Sequence, residues 1–340
     1  MDESTIMDMS VLVTSGAGSR GKGPKDHRSN ACRYDPLAPT IFHEEWWLDA
    51  ATGGHFDVAE VTAGGRTVGR LPFHLTKRFG LRMIRMPELT YFLGPAIEDG
   101  KGSATNRFLK RLEITRELLE RLPPASWQYV KCHGGITDVI AFQELGFRTY
   151  VQFTHEIRPA PAEVLWQQMR DKTRNVVRRA DERLSIRELT DPLEFAHLYE
   201  RNLALRGLDN GIDSTVCRKI VSASLERQRG RILAAHDKDN QIVAANFCVW
   251  DEVSSFYLLS TRGANSGNGA SSLLLWEAIK DSARRGLVFD FAGLGGKGSV
   301  LFYSGFGASI SARYVAVRAR VLARVINELK LPFAPENYFY

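Results

Sequence analysis

Residues 287–308 read "LVFDFAGLGGKGSVLFYSGFGA". A five-residue apolar run, Leu287 to Phe291, carries a carboxylate at Asp290, opens into glycines, and is followed by a second apolar segment ending in Gly305-Phe306-Gly307. Short apolar and aromatic runs bounded by glycine are the pattern of core strands, so the first run predicts a buried strand. An acidic residue at its centre needs a reason. The same order of segments occurs earlier in the chain. "WQYVKC" (127–132) answers "LVFDFAG" (287–293), "AFQELGF" (141–147) answers "SVLFYSGF" (299–306), and "RTYVQFTHEI" (148–157) answers "ASISARYVAVR" (308–318). Gly146-Phe147 and Gly305-Phe306 fall at the same point of the two series.

Upstream of each series the match continues. "FDVAEVT" (56–62), the turn Ala63-Gly64-Gly65 and "RTVGRLPFHL" (66–75) predict a β-hairpin, and so do "GRILAAHD" (230–237), Lys238-Asp239-Asn240 and "QIVAANFCVW" (241–250). "LRMIRMPEL" (81–89) and "SSFYLLST" (254–261) are the third strands. "TNRFLKRLEITRELLERL" (105–122) and "ASSLLLWEAIKDSARRG" (270–286) are amphipathic helices, the former stopped by Pro123-Pro124. The whole order of hairpin, strand, helix, strand, helix, strand is thus written twice, a duplication of domain size rather than a short solenoid repeat. Between the copies, residues 162–184, 191–207 and 213–228 read as helices.

The 340 residues suffice for two domains, and 44% apolar with 25% charged residues is the composition of a soluble globular protein. The net charge of +6 favours anionic partners without choosing among phosphorylated substrates, nucleic acid or an anionic surface. No apolar run approaches the roughly 20 residues of a membrane span, so membrane contact is at most peripheral. "MSVLV" near the start is too short for a signal-peptide core. Cys32, Cys132, Cys217 and Cys248 form no CxxC pair and no histidine stands at metal-ligand spacing, which implies a reducing, cytoplasmic setting and no metal. The sequence divides into a tail (1–33), a first domain (34–157), a second domain with the helical insertion (158–330) and a short tail (331–340).

This order, doubled, resembles a tandem N-acetyltransferase (GNAT) architecture: an α/β (α+β) fold of two GNAT-like domains with mixed sheets and a helical insertion. It is similar to the Fem-type aminoacyltransferases and to GNAT-type acyltransferases encoded with bacterial polysaccharide genes. The resemblance covers residues 40–320 and rests on "PELTYFLGP" (87–95), "KTRNVVRRADE" (172–182) and "FDFAG" followed by "FYSGFGA". It implies an acyl donor, acetyl-CoA or another acyl-CoA, held where two central strands part. The implied acceptor is an amine or hydroxyl of a small-molecule, nucleotide-linked or lipid-linked sugar precursor of the envelope or of a polysaccharide. No DNA partner is implied. Two rivals stand beside this: a Fem-type transferase using aminoacyl-tRNA, whose known examples often carry a long helical arm not seen in this sequence, and a non-catalytic duplicated scaffold.

Four stretches could carry the chemistry. Arg174 and Arg178 lie four apart on one helix face with Asn175 one position round, an array suited to phosphate oxygens. The alternative is a solvated face paired with Asp171, Asp181 and Glu182. Gly267-Asn268-Gly269, continuing into Ala270 and Ser271, precedes a strong helix and could bind the donor's phosphates through backbone N–H groups. It matches the last positions of the GNAT Arg/Gln-x-x-Gly-x-Gly/Ala loop, but Ala264 stands where that loop has Arg or Gln, and a plain helix cap is the competing reading. Asp290 is placed to orient an amine or accept a proton, or else braces a loop. Its counterpart in the first copy is Val130 or Lys131. Tyr303 falls near a Lys that steadies the oxyanion in some Fem-type enzymes, and brings a hydrogen-bond donor without the charge. Tyr257 either lines the same cleft or is a half-buried strand tyrosine.

Overall fold

The computed structural model describes residues 34–78, 80–208, 211–263, 268–293 and 297–319. A 3-10 turn (Ile41–His43) and α1 (Glu45–Thr52) precede β1 (Asp57–Ala63), β2 (Arg66–Arg78), β3 (Leu81–Arg85) and the two-residue β4 (Ala96–Ile97). Then come α2 (Ala104–Glu120), β5 (Trp127–Lys131), α3 (Ile140–Glu144) and β6 (Arg148–Ile157). The middle of the chain forms α4 (Ala162–Gln168), α5 (Asp171–Asp181), β7 (Ser185–Leu189), α6 (Pro192–Leu205) and α7 (Ser214–Glu226). The second series is β8 (Gly230–His236), β9 (Ile242–Trp250), β10 (Ser254–Arg262), α8 (Asn268–Arg284), β11 (Val288–Asp290), α9 (Lys297–Ser304) and β12 (Ser309–Ala319). The predicted series of elements is present in both halves. Local chemistry sets the starts: Ser103 caps α2 by accepting from Asn106 N, and Asp213 caps α7 by accepting from Thr215 N and Val216 N.

The strands form one continuous sheet in the order β1-β2-β3-β5-β12-β6-β11-β10-β9-β8-β7, with β4 beside β2. From β1 to β8 this order is a palindrome under the duplication. Each half's last strand is lent to the other: β12 lies against β5, and β6 lies against β11. The register obeys the same rule. The pair Lys131↔Val315 in one half answers Asp290↔Glu156 in the other, at a constant separation of 159 residues, and Phe153↔Ala312 in the β6–β12 ladder lies on the local two-fold axis. The counterpart of Asp290 is therefore Lys131, not Val130.

Two features departed from the sequence reading. Residues 185–189 form the edge strand β7 against β8, in the gap between two segments read as helices, where no strand was expected; its mostly exposed, charged sequence "SIREL" carries little strand signal. The helix expected over 162–184 is broken at Met169-Arg170, where the backbone turns extended and Arg170 N donates to Gly305 O at 3.0 Å. The glycines of "SGFGA" account for that break. A Cβ on Gly305 would lie 2.5 Å from Thr173 Oγ1, and one on Gly307 2.8 Å from Gln168 O, so the α4–α5 junction packs directly on this glycine backbone.

Residues alternate between the two faces of a strand. Val130 packs beneath α2 and α3, and Phe289 and Phe291 pack with α8 and α9. Lys131 and Asp290 therefore share the opposite face, where the 3-10 turn, α1 and the buried Leu89, Phe92 and Leu93 form another core with α6 and α7.

Candidate functional site

On the face covered by α8 and α9 the sheet opens. β11 pairs with β10 in parallel over Ser254–Phe256 only, while β10 continues to Arg262. Immediately beyond the last pair, β10 carries a bulge: its register on β9 slips between Tyr257 and Leu259. A bulge re-aims the backbone and ends regular pairing, which leaves a seam between β10 and the chain that follows β11. Tyr257 and Tyr303 meet beside it, with ring centroids 6.5 Å apart, and Phe291 stacks on Tyr303 at 4.4 Å. Burial, with Tyr303 nearby, pushes the Tyr257 phenol upward, so it remains a donor. His155 joins the cluster, its Nε2 3.2 Å from Ser304 Oγ, and burial lowers its pKa.

The start of α8 faces α5. A Cβ on Gly269 would lie 3.2 Å from Ala180 Cβ and 3.9 Å from the Arg183 guanidinium, so this glycine gives α5 its close approach. Ala270 is buried and Ser271 half-buried, while Gly267 lies outside the described residues and α8 begins at Asn268. Sequence reasoning passed over Arg183, which sits at this helix start.

Arg174 is turned inward. Its Nη1 donates to the carbonyls of Trp166, Gln167 and Met169 at 3.3, 3.0 and 2.7 Å, and it pairs with Asp171, so it closes the end of α4. Arg178 is exposed and donates to Asn175 Oδ1 at 3.1 Å. Arg174 and the Asn175–Arg178 pair thus have different partners.

Asp290 lies on the other face from Tyr257 and Tyr303, so the structure separates the two residues proposed for catalysis. It is 1% exposed. Its Oδ1 accepts from Thr154 Oγ1 at 2.6 Å and from Ala292 N at 2.7 Å, and its Oδ2 accepts from Arg313 at 3.0 Å. Arg313 also pairs with Glu156. Burial raises the Asp290 carboxyl, and Arg313 and Thr154 oppose that. The glycine-rich sequence after the strand fits this bracing: Ala292 takes a left-handed φ of 58°, and Gly293 N donates to Thr154 Oγ1 at 3.0 Å. Thr154 and Arg313 are themselves counterparts in the duplication. No sequence signal marked them, because their meeting depends on the exchanged strands.

Two histidines line the same polar face. His133 Nδ1 accepts from Gly135 N at 3.1 Å while its Nε2 stands 3.1 Å from Pro95 O. His43 lies between Thr40 Oγ1 and Gly94 O, with its ring 5.2 Å from that of His133. Both sets of partners suit the neutral ring. Burial lowers His133 to about 4 and His43 well below its usual value. A histidine whose folded pKa lies below its unfolded one lends stability above about pH 6.5 that is lost as the pH falls toward 4, worth roughly 3 kcal/mol for His133. Asp251, raised to about 6 by burial, works in the opposite sense, its contribution lost as the pH rises through 6. Urea unfolding from pH 7 to 4.5 should show a loss of stability that is shallower in His133→Gln; parallel curves for the two proteins would refute the assignment.

Residues 167–299 match the family model of the acetyltransferase (GNAT) domain, a span from the end of α4 into α9 that contains the seam and the start of α8. Among solved structures, FemX is 13% identical with a TM-score of 0.60, over 84% of this chain and 93% of FemX. The C-terminal domain of a protein described as a lysylphosphatidylglycerol synthetase from Agrobacterium fabrum is 12% identical with a TM-score of 0.56, over 87% of this chain and 95% of that one. At such identities the likeness is one of fold. No curated protein matches the sequence. Residues 167–299 thus carry a GNAT acetyltransferase domain. The chain as a whole shares its fold with FemX, and in its palindromic sheet the series of elements occurs twice.

Proposed function

We propose that the protein transfers an acyl group from an acyl-CoA, acetyl-CoA in the simplest case, to an amine or hydroxyl of a nucleotide- or lipid-linked sugar precursor in the cytoplasm. The observation that carries this is the seam past Phe256 and Asp290, opened by the β10 bulge and inside the family-matched span. The acceptor attacks the thioester carbonyl, the C–S bond breaks, and the acceptor proton leaves as the thiol forms. Positioning and hydrogen-bond donors at the developing oxyanion supply the rate. Tyr303 and Tyr257 are the proposed donors there, and the backbone at Gly267 to Ser271, with Arg183, the proposed phosphate site. Asn175 and Arg178 are proposed to contact the acceptor, with Arg174 holding the α4–α5 junction that presents them. Asp290 is proposed to act either on the acceptor's proton or as the brace that holds the turn. The division into domains at 34–157 and 158–330 belongs to this reading.

A second reading, an aminoacyl group carried by tRNA as donor, takes its aminoacyl part from the neighbour described as a lysylphosphatidylglycerol synthetase, although the longest described helices, α2 and α8, have 17 residues and form no long arm. Thermal unfolding and thiol release with acetyl-CoA, longer acyl-CoAs and aminoacyl-tRNA test both. A bound acyl-CoA at 100 times its Kd should stabilise the fold by about 2.7 kcal/mol. Stabilisation and turnover with aminoacyl-tRNA alone would replace the first reading by the second.

A further inference from the structure

Lys131 occupies the position equivalent to Asp290 and is handled in the opposite way. Asp290 has every oxygen bonded, whereas Lys131, 8% exposed, makes no hydrogen bond or ion pair with any described residue. Its Nζ stands 5.2 Å from the centroid of Phe92 and 5.9 Å from that of Tyr91, and 3.9 Å from where a Cβ on Gly293 would lie. Arg313 rests on the same Phe92 ring at 5.1 Å, with its Nε buried and lacking an acceptor. An ammonium and one guanidinium N–H, neither with an acceptor among the described residues, thus lie at one aromatic ring.

The neighbouring acids do not supply what is missing. Asp290 and Glu156 both bond Arg313. Asp290 neutralises Arg313 in the dry interior, the two side chains being 2% and 8% exposed, while Glu156, at 24%, reaches solvent that screens its charge. That leaves the ammonium with ring contacts but no hydrogen-bond acceptor among the described residues. Burial pulls it down to about 8, with Asp290 opposing and Arg313 assisting. An unpaired buried ammonium is costly, and a Met at 131 would keep most of the volume without that cost. The surroundings also leave an approach: Gly134 and Gly135 are exposed, Gly293 is half-buried, and a Cβ on Gly134 would press on the Arg313 guanidinium at 3.1 Å.

We propose that Lys131, with Arg313 beside it, receives a monoanionic oxygen group of the acceptor, a carboxylate or a phosphodiester. Tyr91 ties this point to the seam. Its ring lies next to the Lys131 ammonium, and its hydroxyl donates to Leu258 O, at the β10 bulge, at 3.1 Å. One aromatic ring thus spans from the Lys131 ammonium to the β10 bulge. The word acceptor rests on the acyl-transfer reading; the anion site does not, and it is tested without an acyl donor.

The test titrates the full chain with acetate and, separately, dimethyl phosphate against a constant chloride background, by calorimetry and by melting temperature, for the wild type, Lys131→Met and the exposed control Lys172→Met. Saturable binding of at least one anion to wild type and control, weakened about tenfold or more in Lys131→Met, with Lys131→Met melting at or above the wild-type temperature, is the expected result. Acetate alone identifies a carboxylate acceptor, and dimethyl phosphate alone a phosphodiester. Equal binding by Lys131→Met, or no binding of either anion to the wild type, overturns the proposal. So does a melting temperature lowered by Lys131→Met, which would make Lys131 a structural counter-ion of Asp290. An acyl-CoA titration of the same wild-type sample reports on the donor reading separately.

Discussion

Expressed separately, residues 34–157 and 158–319 should each fail to give a folded monomer, and mixing them should restore a 1:1 complex. The exchange of last strands is the reason. In the first fragment β6 loses both neighbours, β12 and β11, and β5 is left with a bare edge; in the second, β12 loses β5 and β6. Strands so exposed pair with whatever is available, so self-association is the expected fate of each fragment alone. The charges at the centre favour the mixed pair. The first fragment supplies Lys131, Thr154 and Glu156, and the second supplies Asp290 and Arg313. A self-paired second fragment would set two copies of Asp290 and Arg313 around the axis without Thr154 or Glu156. Size-exclusion with light scattering, far-UV circular dichroism and melting of each fragment and of the mixture are the measurements. A monomeric fragment with a cooperative melt would contradict the prediction and mean that the exchange is not needed for stability.

Asp290→Ala should cost about 3–5 kcal/mol, since it removes one partner of a buried ion pair and leaves Thr154 and Ala292 N without their acceptor. Against a total stability of about 5–15 kcal/mol for an ordinary domain, that is a large fraction. Glu156 still holds Arg313, which is why the loss should stop short of unfolding the chain. The milder Asp290→Asn separates bracing from chemistry. The burial and the three bonds lead to a lowered melting temperature with the turnover of the folded fraction changed by less than about tenfold. A fall in turnover of roughly 10² to 10⁴ at an unchanged melting temperature would instead make the carboxylate a general base. Both readouts are required for each variant, because turnover per total protein falls in either case.

How far the sequence carries the argument differs from residue to residue. "WQYVKC" and "LVFDFAG" announced themselves as core strands, and the repeated hairpins, helices and Gly-Phe pairs announced the duplication, because periodicity and glycine punctuation are local properties of a chain. The resemblance to the GNAT fold followed from that order of elements. The seam itself was half-legible: the strands could be named, but the bulge at Leu258 depends on how β10 lies on β9. Arg174 shows the limit for a charged helix face. Its spacing permitted phosphate contact, yet the break at Met169-Arg170 brings three carbonyls to its guanidinium, and that break is set by Gly305 and Gly307, more than 130 residues away.

The sequence by itself determined the elements, their doubled order and the strand on which each candidate residue lies, since these follow from the chemistry of neighbours within a few positions. Only the tertiary structure decided which residues meet. It put Asp290 and Tyr303 on opposite faces, gave Asp290 to Thr154 and Arg313, and left Lys131 without a hydrogen-bond acceptor among the described residues, because strand exchange joins residues from opposite ends of the duplication, and no local pattern records a ladder whose two strands are 159 residues apart.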